Sequence, residues 1–588
     1  MPNALLVYPE FPPSYWGMQY ALEFLGKKAS MPPLGLLTVA AMFPAEYSLR
    51  AVDMNIRPVT DEDIKWADAV FTSSMVVQQE SLREVVEQCR RLGVPIVAGG
   101  PYPTTFYDEL EGVDYFVLGE VEEVFHDFLR DLKNGCAPRM CVPREKPDVT
   151  RTPLPRYDLI DLREYSSMSL QFSRGCPFDC EFCDITKLFG RVARTKTNQQ
   201  VLGELDLLYR LGWRGSVFLV DDNFIGNKKA ALELLPDVSR WQRERGYPFS
   251  LFTEASVNLA RMDSLMDAMV DAGFSMVFLG IESPNPAALL KTNKKQNVSH
   301  GNGNFLLEAV RKIQHKGMEV AGGFIVGLDG DGEGVFDAQI DFIQEAGIPL
   351  AMIGLLTALK GTDLYDRLKK QGRLVEESQG DNFRFKLNFV PEMDPQMLFD
   401  GYRRVLSSLY DPGLKRYFER CLTMLAHLRP TALPGRRIGK AELGALFKSI
   451  RRQLFSKQGP AYLKFLVRVL KDYPHMYAEA VRLAIMGYHL ERVTSQHIAV
   501  HEFRDYLSRE LELFKQRLGS WSDLPGQGMT DLQGYIQEVV QNASRRYEHI
   551  HSDFRHQVED ALEAFQGALR NSLVPENLGR RCEGLASD

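Results

Sequence analysis

The sequence predicts an α/β chain in three parts: an N-terminal doubly wound parallel sheet, six further βα units, and a mainly α-helical C-terminal part. Three observations predict it. Short apolar runs alternate with segments of helical periodicity from Ala4 to about Lys133, and again from about residue 168 to 371. A stretch rich in Pro and charge, Val142 to Tyr157, separates the two series. From about residue 395 the β signals fade, and Leu, Phe, Tyr, Lys and Arg mix in helical segments.

In the first series, strands are expected at Ala4–Tyr8, Tyr47–Met54, Ala69–Ser73, Pro95–Ala98 and Tyr115–Leu118. Helices are expected at Leu34–Phe43, Glu80–Leu92 and from about Val121 to Lys133. Ligands of such sheets bind beyond the carboxyl ends of the strands, where this chain has Ser73-Ser74, Gly99-Gly100 and Gly119-Glu120. In the second series, strands are expected near 168–173, 216–221, 249–254, 276–281, 319–326 and 350–356. Helices near 198–211, 229–245, 262–272, 303–317, 334–346 and 363–371 separate them. Alternation alone fits either a partial barrel or a second open sheet.

A chain of 588 residues is too long for one core, and three or four domains are expected. No apolar run reaches the roughly 18 residues of a membrane span. The N-terminus enters a strand-like run without a basic n-region, so no signal peptide and a reducing cytoplasmic setting are expected. Charge is uneven. Residues 401–500 hold 18 Lys/Arg against 6 Asp/Glu, and the remainder carries a net charge of −19. Such asymmetry points to an anionic partner.

The chemistry-bearing motif is Ser173-Arg-Gly-Cys176-Pro-Phe-Asp-Cys180-Glu-Phe-Cys183. A structural zinc site needs four ligands, and no nearby Cys or His completes a tetrahedron. Disulfides do not suit a chain with eight cysteines in 588 residues and no secretory signal. Three thiolates at CxxxCxxC spacing instead suit three irons of a 4Fe-4S cubane, leaving the fourth iron open. Cys89, Cys136, Cys141, Cys421 and Cys582 have no comparable spacing and read as buried or incidental.

The motif resembles the signature of the radical S-adenosylmethionine (SAM) superfamily, including the aromatic Phe182 before the last cysteine. The resemblance implies that the open iron chelates SAM and that the reduced cluster cleaves it to a 5′-deoxyadenosyl radical. It also favours a partial (β/α)6 barrel for the second series. Further SAM contacts implied at strand ends are Asp221-Asp222-Asn223, Glu254 and Glu282, with Gly323 and Val326 in the run Gly322–Gly327. The family's usual Gly-Gly-Glu run is absent at Asp221–Asn223. Turn or N-cap use of these residues remains the plainer alternative, as do structural hydrogen bonds for the two glutamates.

The N-terminal part resembles the cobalamin-binding domain that precedes the barrel in one radical SAM class. Pro32–Thr38, Val52–Asn55, Ala98–Pro101 and Leu118–Glu122 carry the resemblance. It implies a corrin against Ser73, Ser74, Gly99, Gly100, Gly119 and Glu120, where glycine lets a flat ligand approach the backbone. The Asp-x-His-x-x-Gly motif that supplies a cobalt-ligating histidine is missing. His126, on an expected helix, is this part's one histidine. A corrin-type domain without its corrin is the alternative.

The stretch from Lys471 to Leu490 resembles the C-terminal domain of cobalamin radical SAM proteins of the hopanoid C-2 methylase type. The expected organisation is a cobalamin-binding-type domain at 1–140, a linker at 141–165, and a radical SAM barrel at 166–392. A basic helical domain at 393–575 and a disordered tail at 576–588 complete it. The resemblance implies cobalamin-dependent C-methylation of an unactivated carbon. It also implies an external reductant of flavodoxin or ferredoxin type. The basic helical part favours a lipid or isoprenoid substrate and contact with an anionic membrane surface over nucleic acid. The alternatives are a radical enzyme forming rings, coupling carbons or oxidising without cobalamin, and a non-enzymatic iron–sulfur carrier or sensor.

Overall fold

A computed structural model describes residues 2–299, 304–430, 440–521 and 527–572. The expected tail at 576–588, with Cys582, lies outside the described residues. The chain forms two compact units, Met1–Glu491 and Arg492–Asp588.

The first unit holds two parallel six-stranded sheets. Strands β1 (Asn3–Tyr8), β2 (Ser48–Asp53), β3 (Ala69–Ser73), β4 (Ile96–Gly99), β5 (Tyr115–Val117) and β6 (Met140–Cys141) form the first, in the order β2-β1-β3-β4-β5-β6. The apolar runs of the inner strands β1, β3, β4 and β5 are buried on both faces, as parallel strands under helices must be, while the edge strands β2 and β6 are partly exposed. The strand order reverses between β1 and β3, which puts a topological switch point beside Ser73.

A two-stranded antiparallel hairpin, β8 (Ser173–Arg174) with β9 (Arg194–Thr195), follows β7 (Ser167–Leu170). The second large sheet continues with β10 (Ser216–Leu219), β11 (Ser250–Ala255), β12 (Phe274–Glu282), β13 (Glu319–Val326) and β14 (Ala351–Leu355). Its order is β14-β13-β12-β11-β10-β7, every neighbouring pair parallel, so each βα unit adds one strand to an arc. This is the expected partial barrel.

Its helices, Asn198–Arg210, Lys228–Glu244, Asp263–Asp271, Phe305–Lys316, Val335–Ala346 and Asp363–Lys370, fall within two residues of expectation. The expected strand at 168–173 ends early, at Leu170. Asp221 explains the break: its carboxylate accepts from Phe172 N and Ser173 N, both at 2.8 Å, and diverts that backbone from the sheet. The expected helix from Val121 starts only at Phe125. The short helices Gln19–Leu25, Asp61–Trp66 and Pro101–Phe106 add to the expected elements.

Beyond residue 395 the described chain is helical, as expected: Pro395–Leu409, Lys415–His427, Lys440–Gln453, Gly459–Asp472 and Tyr477–Trp521. The second unit contains Gln527–His549 and Ser552–Ser572, packed through Phe503, Leu507, Val539, Phe554 and Val558. No described helix is long and apolar enough to cross a membrane.

Candidate active site

The three cysteines lie in the loop between β8 and β9. Gly175 opens it at φ +95°, and a Cβ there would come within 2.7 Å of Val192 O and 2.9 Å of Gly190 O. Only glycine fits that approach. Cys176 N then donates to Gly190 O at 3.2 Å, and Cys183 N to Cys180 O at 3.1 Å. Two side-chain amides face the sulfurs: Asn223 Nδ2 lies 3.8 Å from Cys176 Sγ, and Gln296 Nε2 lies 3.4 Å from Cys180 Sγ.

Burial pushes the Cys176 and Cys183 thiols above their ordinary values. An iron site would reverse this, since a coordinating thiol gives up its proton. Among the described residues no group of three His, Cys, Asp or Glu converges on a single ion. A cluster needs no such convergence, because each thiolate takes its own iron. Three half-buried thiols with amide donors beside two of them fit it.

Carboxylates ring the strand ends beside this loop, and they divide by what they touch. Asp221 is buried and accepts from two backbone amides and from Ser173 Oγ at 2.6 Å. It positions the loop entrance. Asp222 accepts from Gly175 N at 2.8 Å, and burial raises it to about 6. Asn223 is buried and links Cys176 to Ser256, donating to Ser256 Oγ at 3.2 Å. Glu254 is raised to about 8, first by burial and then by Asp222 and Glu282, with Lys294 opposing.

Glu282 closes β12 at φ +65°, an uncommon conformation for a residue with a side chain. Its carboxylate accepts from Lys294 Nζ at 2.7 Å, and both groups are buried. A Cβ on Gly280 would sit 2.6 Å from Glu282 Oε1 and 2.9 Å from Lys294 Nζ, so that glycine makes room for the pair. The field of Cys180 and Cys183 also acts on Lys294, and its ammonium lies 5.7 Å from the Phe182 ring. Lys294 and Gln296 escaped the sequence reading. They sit in a connecting loop without periodicity, and only the fold carries them to the cysteines.

Along β13, Gly323 and Ile325 share one half-buried face, and Val326 is fully buried on the other. Val326 can meet a ligand only through its backbone, and its carbonyl accepts from Leu356 N at 2.9 Å. The Gly323 face is the inside of the arc. Phe218 and Phe252 stack there at 4.7 Å, Glu254 follows Phe252 on the same side, and Trp16 packs on Phe278 at 4.9 Å. A Cβ on Gly323 would lie 3.3 Å from Phe278. The interior is aromatic, with a carboxylate at its rim.

The first sheet ends in a cavity of about 240 Å³. Ser73, Gly99, Gly100, Gly119 and Glu120 line it from the strand ends, and Gln171, Arg174, Leu188, Phe189 and Val220 line it from the barrel side. Ser74 is fully buried, outside the lining. At two of these glycines the neighbours leave no space for a side chain. A Cβ on Gly99 would stand 2.8 Å from Val117 O, and one on Gly100, at φ +90°, would stand 2.5 Å from Ser73 Oγ. Thr72 Oγ1 and Ser74 Oγ are buried without a hydrogen-bond partner, a state that ligand or water would relieve. A glycine cradle with unsatisfied hydroxyls beside it fits a large flat ligand. His126 is exposed on the helix Phe125–Lys133 and does not line the cavity.

Glu120 differs from the other strand-end residues. Its buried carboxylate pairs with Arg174 at 2.9 Å and Arg194 at 2.7 Å, and Glu122 pairs with Arg174 at 2.6 Å. Two acidic residues after β5 therefore grip the hairpin that presents the cysteine loop.

Sequence profiles of three families match the chain: a B12 binding domain over residues 28–129, the Radical SAM superfamily over 170–343, and a domain of unknown function, DUF4070, over 362–502. An uncharacterized methyltransferase of Synechocystis sp. is 41% identical over 519 residues, covering 86% of this chain and 95% of the relative. The hopanoid C-2 methylase of Rhodopseudomonas palustris is 38% identical over 420 residues, covering 70% and 78%. Among solved structures, the cobalamin-dependent S-adenosylmethionine radical enzyme OxsB superposes with a TM-score of 0.54 at 15% identity, covering 84% of this chain and 80% of that one. At that identity the likeness speaks to the fold.

Proposed function

The chain belongs to the cobalamin-dependent radical SAM methyltransferases, and from that premise we propose that it methylates an unactivated carbon of a polycyclic or isoprenoid membrane lipid. One observation carries the substrate class: the 38% identity with a hopanoid C-2 methylase over 78% of that relative. The aromatic lining of the arc, Phe218, Phe252, Phe278 and Trp16, supports it, because apolar ligands bind in concave sites with few polar groups.

In this reading Cys176, Cys180 and Cys183 hold the cluster. Phe182, Asp222, Asn223, Glu254, Glu282 and the Gly323–Val326 strand surround SAM. Ser73, Gly99, Gly100 and Gly119 cradle the corrin, with the unsatisfied Thr72 Oγ1 on the cavity wall able to donate to it; Ser74 stands behind the wall. Bound together, these groups supply one-electron cleavage of SAM and a transferable methyl group.

The protein's own contribution is positional. Asn223 and Gln296 steady two sulfurs, Asp221 fixes the entrance to their loop, and the Lys294–Glu282 pair holds charge beside them. The Glu120–Arg174 pair keeps cradle and cysteine loop in register, so that both reactants would meet in a fixed geometry. A flavodoxin or ferredoxin is the matching electron source.

Anaerobic reconstitution with iron, sulfide and cobalamin, followed by incubation with SAM, a reductant and a hopanoid or polyisoprenoid extract, tests the proposal. The expected result is a cluster-plus-corrin absorption spectrum, 5′-deoxyadenosine, and a lipid one methyl heavier. A protein that is active without corrin, or that makes 5′-deoxyadenosine and leaves every lipid unmethylated, overturns it.

A further inference from the structure

The basic excess between residues 401 and 500 is not spread evenly over the fold. Several of its cations are engaged: Arg420 is buried against carbonyls of Leu409 and Pro349, Arg404 pairs with Asp337, and Arg482 pairs with Glu319 and Glu479. Two successive helices turn most of theirs outward, though Arg452 pairs with Glu23 and Arg468 with Asp472.

The helix Gly459–Asp472 buries Tyr462, Phe465, Leu466 and Val469, with Phe465 stacked on Phe418 at 4.8 Å. Its outer face reads Leu463-Lys464, Val467-Arg468, Leu470-Lys471, and the three apolar residues are each more than half exposed. The helix Lys440–Gln453 turns Ala445, Ser449 and Gln453 inward, and Ser449 Oγ meets Tyr462 OH at 3.0 Å. It exposes Leu443, Phe447-Lys448 and Ile450-Arg451 in the same pairing of apolar with basic. Between the helices Phe455 is 85% exposed, beside Lys457. Single exposed apolar residues are ordinary, but seven on one hairpin form a patch. Arg451, Lys457, Lys464 and Lys471 make no ion pair among the described residues.

From this we infer that the hairpin Leu443–Lys471 docks the protein on an anionic lipid bilayer, its apolar residues entering the headgroup region and its cations meeting lipid phosphates. Charge complementarity selects the partner. Leu, Val, Ile and Phe beside Lys and Arg at helical spacing match an interfacial amphipathic surface, and the basic flank selects anionic lipid.

The hairpin also adjoins the site. Lys448 donates to Glu23 O, Arg452 pairs with Glu23 and lies over Phe24. These residues belong to the helix Gln19–Leu25, which starts three residues after Trp16, the ring that packs on Phe278 inside the arc. A bilayer held by the hairpin would stand next to the segment that covers the proposed lipid site. That link rests on the function proposed above; the docking surface itself does not.

Sedimentation of the full-length protein with vesicles tests the inference. The expected result is binding to vesicles of phosphatidylglycerol mixed with phosphatidylcholine, weak binding to phosphatidylcholine alone, and weakening as salt rises. Lys464→Glu/Arg468→Glu/Lys471→Glu and Phe447→Ser/Phe455→Ser each lower the bound fraction at least tenfold. Both variants alter exposed side chains and keep the wild-type melting temperature and cluster-dependent 5′-deoxyadenosine formation. Wild-type protein that ignores anionic vesicles overturns the inference, as do variants that bind like wild type. So does a patch that instead retains RNA or pairs two copies of the chain without vesicle binding. Docking that persists with no lipid methylated leaves the inference standing and removes the substrate proposal.

Discussion

The glycine cradle of the first sheet and the mouth of the arc solve the same problem by opposite means. The cradle is made by leaving atoms out: Gly99 and Gly100 have carbonyl, hydroxyl or amide neighbours where a Cβ would stand. The mouth is made by burying charge, with Glu282 against Lys294 and Asp221 against backbone amides. The first should fail when atoms are added, the second when charges are removed. Substitutions can therefore separate the two halves of the chemistry.

The largest expected effect breaks the arc alone. Replacing any one of Cys176, Cys180 or Cys183 by Ala should abolish the cluster absorbance and 5′-deoxyadenosine formation, with corrin retention unchanged. Corrin loss in these variants would mean that cradle and mouth are not separable.

Next comes the buried pair. Lys294→Met leaves Glu282 buried without its cation, which should cost about 3 kcal/mol of stability in the cluster-free protein. Lys294→Met/Glu282→Gln should recover most of it. A double variant no better than the single would show that the pair does not act through charge.

The cradle gives the third effect. Gly100→Val adds atoms where Ser73 Oγ and Ser74 N already stand, at a backbone angle that valine avoids. Corrin affinity should fall on the order of 10- to 100-fold, while 5′-deoxyadenosine still forms. Equilibrium dialysis of cobalamin measures it.

The smallest effect is a pH slope. Glu254 rises from 4.5 to about 8, mainly through burial. Between those values the folded protein keeps a proton that the unfolded chain has lost, so stability falls as pH rises through the window and levels off above it. Glu254→Gln should flatten the fall in unfolding free energy between pH 5 and 8. An unchanged slope would assign it to Asp221 and Asp222, which burial raises to about 7 and about 6.

The alternation of apolar runs located the barrel strands and helices because each parallel strand is buried on both faces and each helix on one, a local pattern. The cysteine triad was legible for a similar reason: its spacing is local. The roles of the carboxylates were not. Asp221 faces amides 48 and 49 residues away, Glu120 faces Arg174 across 54, and Lys294 reaches the cysteines only through a connecting loop. Sequence marks a charge as costly to bury and leaves its partner to the fold. The hairpin β8–β9 and the helix Pro101–Phe106 were missed because two- and six-residue elements have too little length to show a period.

The grip of Glu120 and Glu122 on Arg174 limits how freely the parts of this molecule can be exchanged. A barrel expressed without residues 1–140 would keep Arg174 and Arg194 at the base of its cysteine loop with their shared counter-charge gone. A borrowed corrin-type sheet would have to bring two acids at the same turn after its fifth strand. Modularity at the level of domains thus stops at two guanidiniums, and an exchange of either half has to bring the matching charges with it.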